Sequence, residues 1–406
     1  MKLCKLIICL TLILFLSGCY DMLEPNEYAY VTAIGIDTGE NNNYNFTIQF
    51  AKPAQISGGS GEEGGKGGDI VENISVEAPN LFSAVGLIND IMSKNLSLAH
   101  MKLLVFSEDI AKSGINNFLD TLVRSDDIKP SVYMAVAFGE AKNYLEEIKP
   151  IVEINPAKYY QMIFDKEDFG AVPRSNGLEI YFDIKTEGKN AVIALAGTVD
   201  EKNQANIPST LNSYEYGIKD YKAGEMGVFK EKKSEAVGSG IFKDDKMTGT
   251  IGVIETDLYN LLTDEFVSDY MSIKTSKSDS PITVNVTKTD NTTVNYNKKE
   301  HCSEIEIELE GEFMSLPEDY ITENDIGSFE NEFKAAITDS IKTFLIRTQT
   351  EFDSDIIGFG NNAKRKFMTY KEFEDFGWDE NYKNLSFDVN VKFQIRRTGL
   401  TKRREP

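Results

Sequence analysis

The sequence predicts an α+β protein built as three consecutive mixed α/β domains, each a sheet with helices packed on it. Three observations carry that expectation. Strand-like and helix-like patterns alternate from Tyr28 to about residue 190. From Ala191 to about residue 280, strand patterns and turns dominate. Beyond Pro281, strictly alternating strands flank one long amphipathic stretch. The expected divisions are a leader at 1–18, an N-terminal α/β domain at 19–190, a middle β-rich domain at 191–280 and a C-terminal α+β domain at 281–406. A chain of 406 residues exceeds one ordinary core, and 41% hydrophobic with 27% charged residues suits a folded body.

The leader stands apart in composition. Lys2 and Lys5 precede the apolar run Leu6 to Leu16, interrupted only by Thr11. That order is an export signal. The run is too short for a membrane-spanning helix, which takes about 20 residues. Leu16-Ser17-Gly18-Cys19 follows and resembles a bacterial lipobox. Small Ser17 and Gly18 leave room for a peptidase to cut, and the Cys19 thiolate is the nucleophile that accepts a diacylglyceryl group. That lipid, with an N-acyl chain on the amino group freed by cleavage, is the only prosthetic group expected. Two acyl chains give stable membrane residence where one gives marginal binding. Cys4 and Cys9 fall in the leader, so Cys302 has no partner for an internal disulfide and reads as a half-buried apolar residue.

Past a short polar tether, Tyr28–Ile36 and Tyr44–Phe50 read as a hairpin around Asp37–Asn43. Gly58 to Gly68 is glycine-rich but lacks the Lys-Ser/Thr ending of a phosphate loop, so it reads as a surface loop. Pro79 opens a helix with Phe82, Val85, Ile88 and Met92 on one face. Leu103–Phe106 is a strand, Ser107 a helix start and Gly114 its stop. Ile115–Arg124, Ala141–Ile148 and Ala157–Phe164 are helices, and Ser131–Phe138 is a strand. Val192–Val199 is a strand. Gly238–Phe242 and Met247–Ile254 form a hairpin, Glu255–Leu262 a helix, and Lys274–Ser280 a polar connector. Ile282–Val286 is a strand. Ile305, Ile307 and Leu309 alternate with Glu304, Glu306, Glu308 and Glu310, giving one buried and one solvated acidic face. Ile326, Phe329, Phe333, Ile337, Ile341 and Leu345 form the stripe of a long helix. Leu385 to Ile395 alternates as a long strand.

Composition excludes several functions. The formal net charge is −22, which repels nucleic acid. Two histidines, His100 and His301, are too few for a histidine-rich metal site. No nucleophile elbow is present, and Gly358-Phe359-Gly360 is too short for a nucleotide fingerprint. No catalytic, metal or ligand-binding residue is therefore assigned. His100 reads as a hydrogen-bonded residue at a strand edge, and the basic tail Arg396 to Arg404 as solvated. Two rival readings are a solute-binding lipoprotein of a transporter, which requires two similar lobes around a cleft, and an envelope enzyme.

Several segments, in order along the chain, are similar to the Ger(x)C family, the lipoprotein subunits of spore nutrient-germinant receptors. Cys19-Tyr20-Asp21 resembles its opening, with Tyr20 where the family has Trp. Val31-Thr32-Ala33-Ile34-Gly35-Ile36-Asp37 resembles its first strand. His100-Met101-Lys102-Leu103-Leu104-Val105-Phe106-Ser107-Glu108 resembles its central block, and Gly240 to Met247 its middle hairpin. Asp355-Ile356-Ile357-Gly358-Phe359-Gly360, Trp378 and Ile395-Arg396-Arg397-Thr398-Gly399 resemble its end. The resemblance implies a C subunit outside the spore inner membrane, an α+β three-domain body, and polytopic A and B subunits as partners.

Overall fold

The structure is a computed structural model that describes residues 25–41, 43–52, 70–148, 153, 155–165, 171–199, 220–225, 234–276, 278–317 and 322–397. The leader and Cys19, the glycine-rich loop Gly58–Gly68 and the tail from Thr398 lie outside the described residues.

Nine strands make the first sheet: β1 (Tyr28–Thr38), β2 (Tyr44–Ala51), β3 (Val71–Ala78), β4 (Asn95–Ser97), β5 (Leu103–Ser107), β6 (Tyr133–Ala137), β7 (Val192–Thr198), β8 (Ser234–Lys243) and β9 (Lys246–Ile251). Their order is β3-β2-β1-β5-β6-β7-β8-β9, with β4 beside the start of β1. The centre, β1, β5, β6 and β7, is parallel. Antiparallel pairs β2–β3 and β8–β9 flank it. Both faces of a parallel centre are covered, which is why Leu103 to Phe106 is an unbroken apolar run.

Six helices follow in chain order: α1 (Leu81–Ile91), α2 (Glu108–Ser113), α3 (Asn116–Arg124), α4 (Ala141–Glu146), α5 (Pro156–Phe164) and α6 (Gly177–Lys185). The strands sort their side chains between two cores by period two. Ile34, Ile36, Leu104, Phe106, Met134, Val136, Ile193 and Leu195 face α1, α2, α3 and α6. Ala33, Leu103, Val105, Ala135, Ala137, Ala194 and Ala196 face α4 and α5. Small residues on that second face let α4 come close. A Cβ on Gly35 would lie 3.2 Å from the Ala141 Cβ.

The rest of the chain builds a five-stranded sheet: β10 (Ser268–Thr275), β11 (Ser278–Lys288), β12 (Thr293–Asn297), β13 (Cys302–Ser315) and β14 (Ser386–Arg397). Strand β13 is antiparallel to β11 and β12 and parallel to β14. Helices α7 (Val253–Leu262), α8 (Thr322–Thr350), α9 (Phe359–Lys364), α10 (Tyr370–Phe376) and α11 (Trp378–Tyr382) complete the fold. Phe329, Phe333, Ile337, Ile341 and Leu345 of α8 are all fully buried against the sheet. Its 29 residues reach about 43 Å. The molecule is thus a mixed α/β structure of sheets with packed helices.

Four features depart from the expectations. The first sheet runs through residue 190, because β7 pairs with β6 on one side and β8 on the other. The change of texture at Ala191 marks the passage from parallel to antiparallel strands. Helix α1 buries Leu81, Ala84 and Ile88, leaving Phe82 on the exposed side. Asn80 caps it, its Oδ1 accepting from the Ser83 N–H at 2.9 Å, which starts the helix at Leu81, two residues on from Pro79. In the polar stretch Lys274–Ser280, Lys274 and Thr275 end β10 and Ser278 to Ser280 begin β11, with Thr275 paired to Ser278. Finally, β3, β10 and α6 have no clear periodic signature in the sequence. Helix α6 buries only Gly177 and Ile180 while Leu178 and Phe182 are exposed.

Candidate functional site

Three acidic residues of the distinctive segments bind backbone amides, two of them on helices far away in sequence. Asp37, at the end of β1, accepts from the α4 amides of Ala141 (2.7 Å) and Lys142 (3.0 Å). Helix α4 has no side-chain cap of its own. Burial raises the Asp37 pKa, opposed by those amide hydrogen bonds. Asp245, in the β8–β9 turn, accepts from Ile115 N–H through its carbonyl (3.0 Å) and from Asn116 N–H through Oδ2 (3.3 Å), so the hairpin tip meets the start of α3. Asp244 beside it adopts φ 55°, the left-handed conformation such a turn needs.

The third carboxylate is the most enclosed. Asp355 Oδ1 accepts from Gly358 N–H (2.9 Å) and Phe359 N–H (3.1 Å). Oδ2 accepts from Gly360 N–H (2.8 Å) and the Trp378 indole N–H (2.9 Å). Gly358 takes φ +86°, which turns the chain so that successive amides converge on one anion. At Gly360 a Cβ would come within 2.5 Å of the Gly188 Cα. The two glycines are thus explained by an internal nest and a close backbone approach, without any nucleotide. Asn190 clasps the same residue from the first sheet. Its N–H donates to the Asp355 carbonyl and its Oδ1 accepts from the Asp355 N–H, both at 2.8 Å. Burial pushes the Asp355 acid up to about 6, and the four donors pull it down.

Further charged contacts tie these elements together. Glu255 of α7 is buried and pairs with Arg347 of α8, which also holds Glu351 at 2.8 Å. Lys243 of β8 pairs with Asp353. On β13, Glu308 and Glu310 pair with Lys392 and Arg396 of β14, both at 2.7 Å. The acidic face of β13 therefore has a basic neighbour in the parallel strand. These pairs are exposed, so each adds little and is screened by salt.

The two histidines take structural positions. His100 lies in an exposed turn, its ring edge-on to Tyr30 at 5.2 Å, and among the described residues it has no hydrogen-bond partner. His301 is a bracket at φ 47°. Its Nε2 meets the Asn381 carbonyl at 2.8 Å, and a carbonyl only accepts, so Nε2 carries the proton. Nδ1 then accepts from the Tyr296 hydroxyl at 2.9 Å. Cys302 is a half-buried free thiol. The described residues hold no cluster of three or more metal-ligating side chains, and no helix among them is long and apolar enough to cross a membrane.

A second, half-buried polar group gathers Lys189 and Asp183 (3.0 Å) near the buried Tyr259 and near Glu265. Burial pushes Glu265 up to about 7, against the Arg174 N–H at 3.0 Å and the charge of Lys189. Protonation thus favours the folded state. Its stabilisation is fully present below about pH 4.5 and is lost as pH rises through about 7. Relative to Glu265→Gln, the wild-type chain should lose about 2–3 kcal/mol between pH 5 and pH 8. Parallel urea titrations of the two proteins at both pH values would test this; a flat difference would refute it.

With these joints in view, the class of protein is a two-sheet α/β body whose halves are locked by internal carboxylates. The model of the spore germination protein N-terminal domain matches residues 21–197, and that of the spore germination B3/GerAC-like C-terminal domain matches residues 237–399. The chain belongs to the Ger(x)C family of spore germination proteins. Spore germination protein KC of Bacillus subtilis is 24% identical, the match covering 96% of this chain and 94% of the relative. Spore germination protein GerQC of Bacillus cereus is 20% identical over 97% of this chain and 99% of its own length. The crystal structure of the GerBC protein shares the fold, with a TM-score of 0.52 at 15% identity over 89% of this chain and 96% of that one.

The segments that resemble the family thus include the three acids Asp37, Asp245 and Asp355 and, for Asp355, its donors Gly358, Phe359, Gly360 and Trp378. Sequence reasoning did not assign these three acids a role. The signal available was an acid placed before a Gly-x-Gly pair or inside a hairpin turn.

Proposed function

We propose that this chain is the membrane-anchored C subunit of a spore germinant receptor, working by assembly rather than turnover. A lipid on Cys19 holds it on the outer leaflet of the spore inner membrane, where it docks on polytopic A and B subunits and stabilises nutrient-triggered signalling. The observation that carries this reading is family membership along nearly the whole chain, joined to Leu16-Ser17-Gly18-Cys19 just upstream of the body. Only eight residues lie between Cys19 and Tyr28, the first residue of β1, and those nine residue-to-residue steps reach at most about 30 Å. Strand β1 sits inside the sheet between β2 and β5, so a pull on the tether loads the centre of the fold. Confinement to the membrane plane raises the effective concentration of docking without any new contact. Assembly is also supported by the enclosed carboxylate of Asp355, whose two oxygens are both occupied by donors of its own chain.

Spores carrying Cys19→Ala test the proposal. The variant should float away from the membrane fraction, and nutrient-triggered germination should slow at least tenfold. An unchanged response with unchanged levels of the other receptor subunits would overturn the anchoring mechanism.

A further inference from the structure

A cavity of about 330 Å³ opens between α1 and α3 on one helical face of the first sheet. Its floor is Ile36, Met101, Leu104, Leu122 and Ile128, none more than 3% exposed. One wall is the pair Tyr44 and Phe118, rings edge-on at 4.9 Å. Asn80, Asn117 and Thr121 stand at the rim. The Asn80 Oδ1 is used by the α1 cap and the Thr121 hydroxyl donates to the Asn117 carbonyl at 2.9 Å. Among the described residues, the Asn80 NH2, the Asn117 amide and the Tyr44 hydroxyl have no hydrogen-bond partner. No lining residue is charged.

Protein interiors are close-packed, and a concave apolar space of this size with a few polar groups at its mouth has the make-up of a small-molecule site. We infer that this cavity binds a small uncharged organic molecule: an aromatic or branched aliphatic body bearing one hydroxyl or carbonyl oxygen. The buried floor takes the body. The rim amides and the phenol take the oxygen. A zwitterion is rejected, because the lining supplies no counter-charge for an ammonium or a carboxylate entering an apolar space. The inference is independent of the lipid anchor, since it rests on the folded body alone.

The test uses the full, lipidated chain in lipid nanodiscs, labelled with ¹³C at its methionine methyls. The Met101 signal, identified by its loss in Met101→Leu, reports the floor of the cavity; Met314, 52% exposed on β13, is the internal control. Benzyl alcohol should move the Met101 signal saturably with a Kd on the order of 1 mM, leaving Met314 still. L-Phenylalanine, the same ring with a zwitterionic end, should bind at least tenfold more weakly. Asn117→Trp, an exposed rim substitution, should abolish the shift while leaving the free-protein spectrum otherwise in place; Thr121→Phe should do the same by a second route. The inference falls if Met101 does not respond, if Met314 moves in parallel, or if phenylalanine binds equally well. Loss of membrane association in the same sample would speak only to the anchor.

Discussion

Asp355→Asn should destabilise the fold by about 2–4 kcal/mol at pH 7, a large effect for an isosteric change. Each carboxylate oxygen of Asp355 serves two N–H donors. Whichever way the asparagine amide turns, its NH2 group meets two donors and strands them. A buried donor left unpaired costs about 1–3 kcal/mol. The substitution also recovers something, because burial disfavours the charge and pushes the acid up to about 6. The loss of acceptors is the greater term, since a buried charge that is bonded on all sides is harder to break than to replace wholesale. Trp378 is the only tryptophan in the chain and donates to this carboxylate, so its emission reports the joint directly. Urea unfolding followed at that tryptophan should show a lower midpoint and an altered native spectrum. A change below 1 kcal/mol with an unaltered spectrum would show that the joint is not holding the halves. Asn190→Ala should be strongly non-additive with it, because both residues belong to one hydrogen-bond unit.

That joint also shows where sequence reading stops. Elements with a single buried face announce themselves. Helix α8 carries its stripe from Phe329 to Leu345, and β14 alternates Val389, Val391 and Phe393 with polar residues. The parallel strand β5 is legible as an apolar run. Strand β3 is not, because as the outermost strand next to β2 it buries fully only its two ends, Val71 and Ala78. Helix α6 is not, because its exposed apolar residues blur any stripe. The long-range caps are invisible for another reason. Asp37 and its amides are 104 residues apart, and nothing local distinguishes that carboxylate from other acids of the chain. Sequence periodicity reports burial; it does not report which distant backbone a polar group satisfies. Cys19, by contrast, depends on local chemistry alone, which is why it could be singled out without a fold.

Phe333→Ala should cost about 3–5 kcal/mol, and the loss should concentrate on β14. Phe333 is completely buried on α8, stacked on Phe393 of β14 with ring centroids 4.2 Å apart, and it adjoins Phe329 at 5.8 Å. Phe329 in turn packs on Phe313 of β13 at 5.0 Å. The aromatic group therefore bridges the helix to both strands of the parallel pair. A parallel pair cannot close through a tight hairpin and needs a crossover. Here the crossover is α8 to α11, so the packing of α8 holds the last strand in place. Glu330 adds a polar tie, its Oε1 accepting from the Ile395 N–H at 2.8 Å. With the phenyl ring gone, that tie and the exposed ion pairs of β13 and β14 are too weak to replace it. Amide hydrogen exchange should then speed up along Ser386–Arg397 well before it does in β5, whose two faces belong to other cores. Ile346→Ala, on the exposed side of the same helix, should shift stability by no more than about 0.5 kcal/mol. Equal loss of protection in β5 and β14 would mean that the two sheets unfold as one unit, and that the Asp355 joint couples them more tightly than the helix couples its own strand.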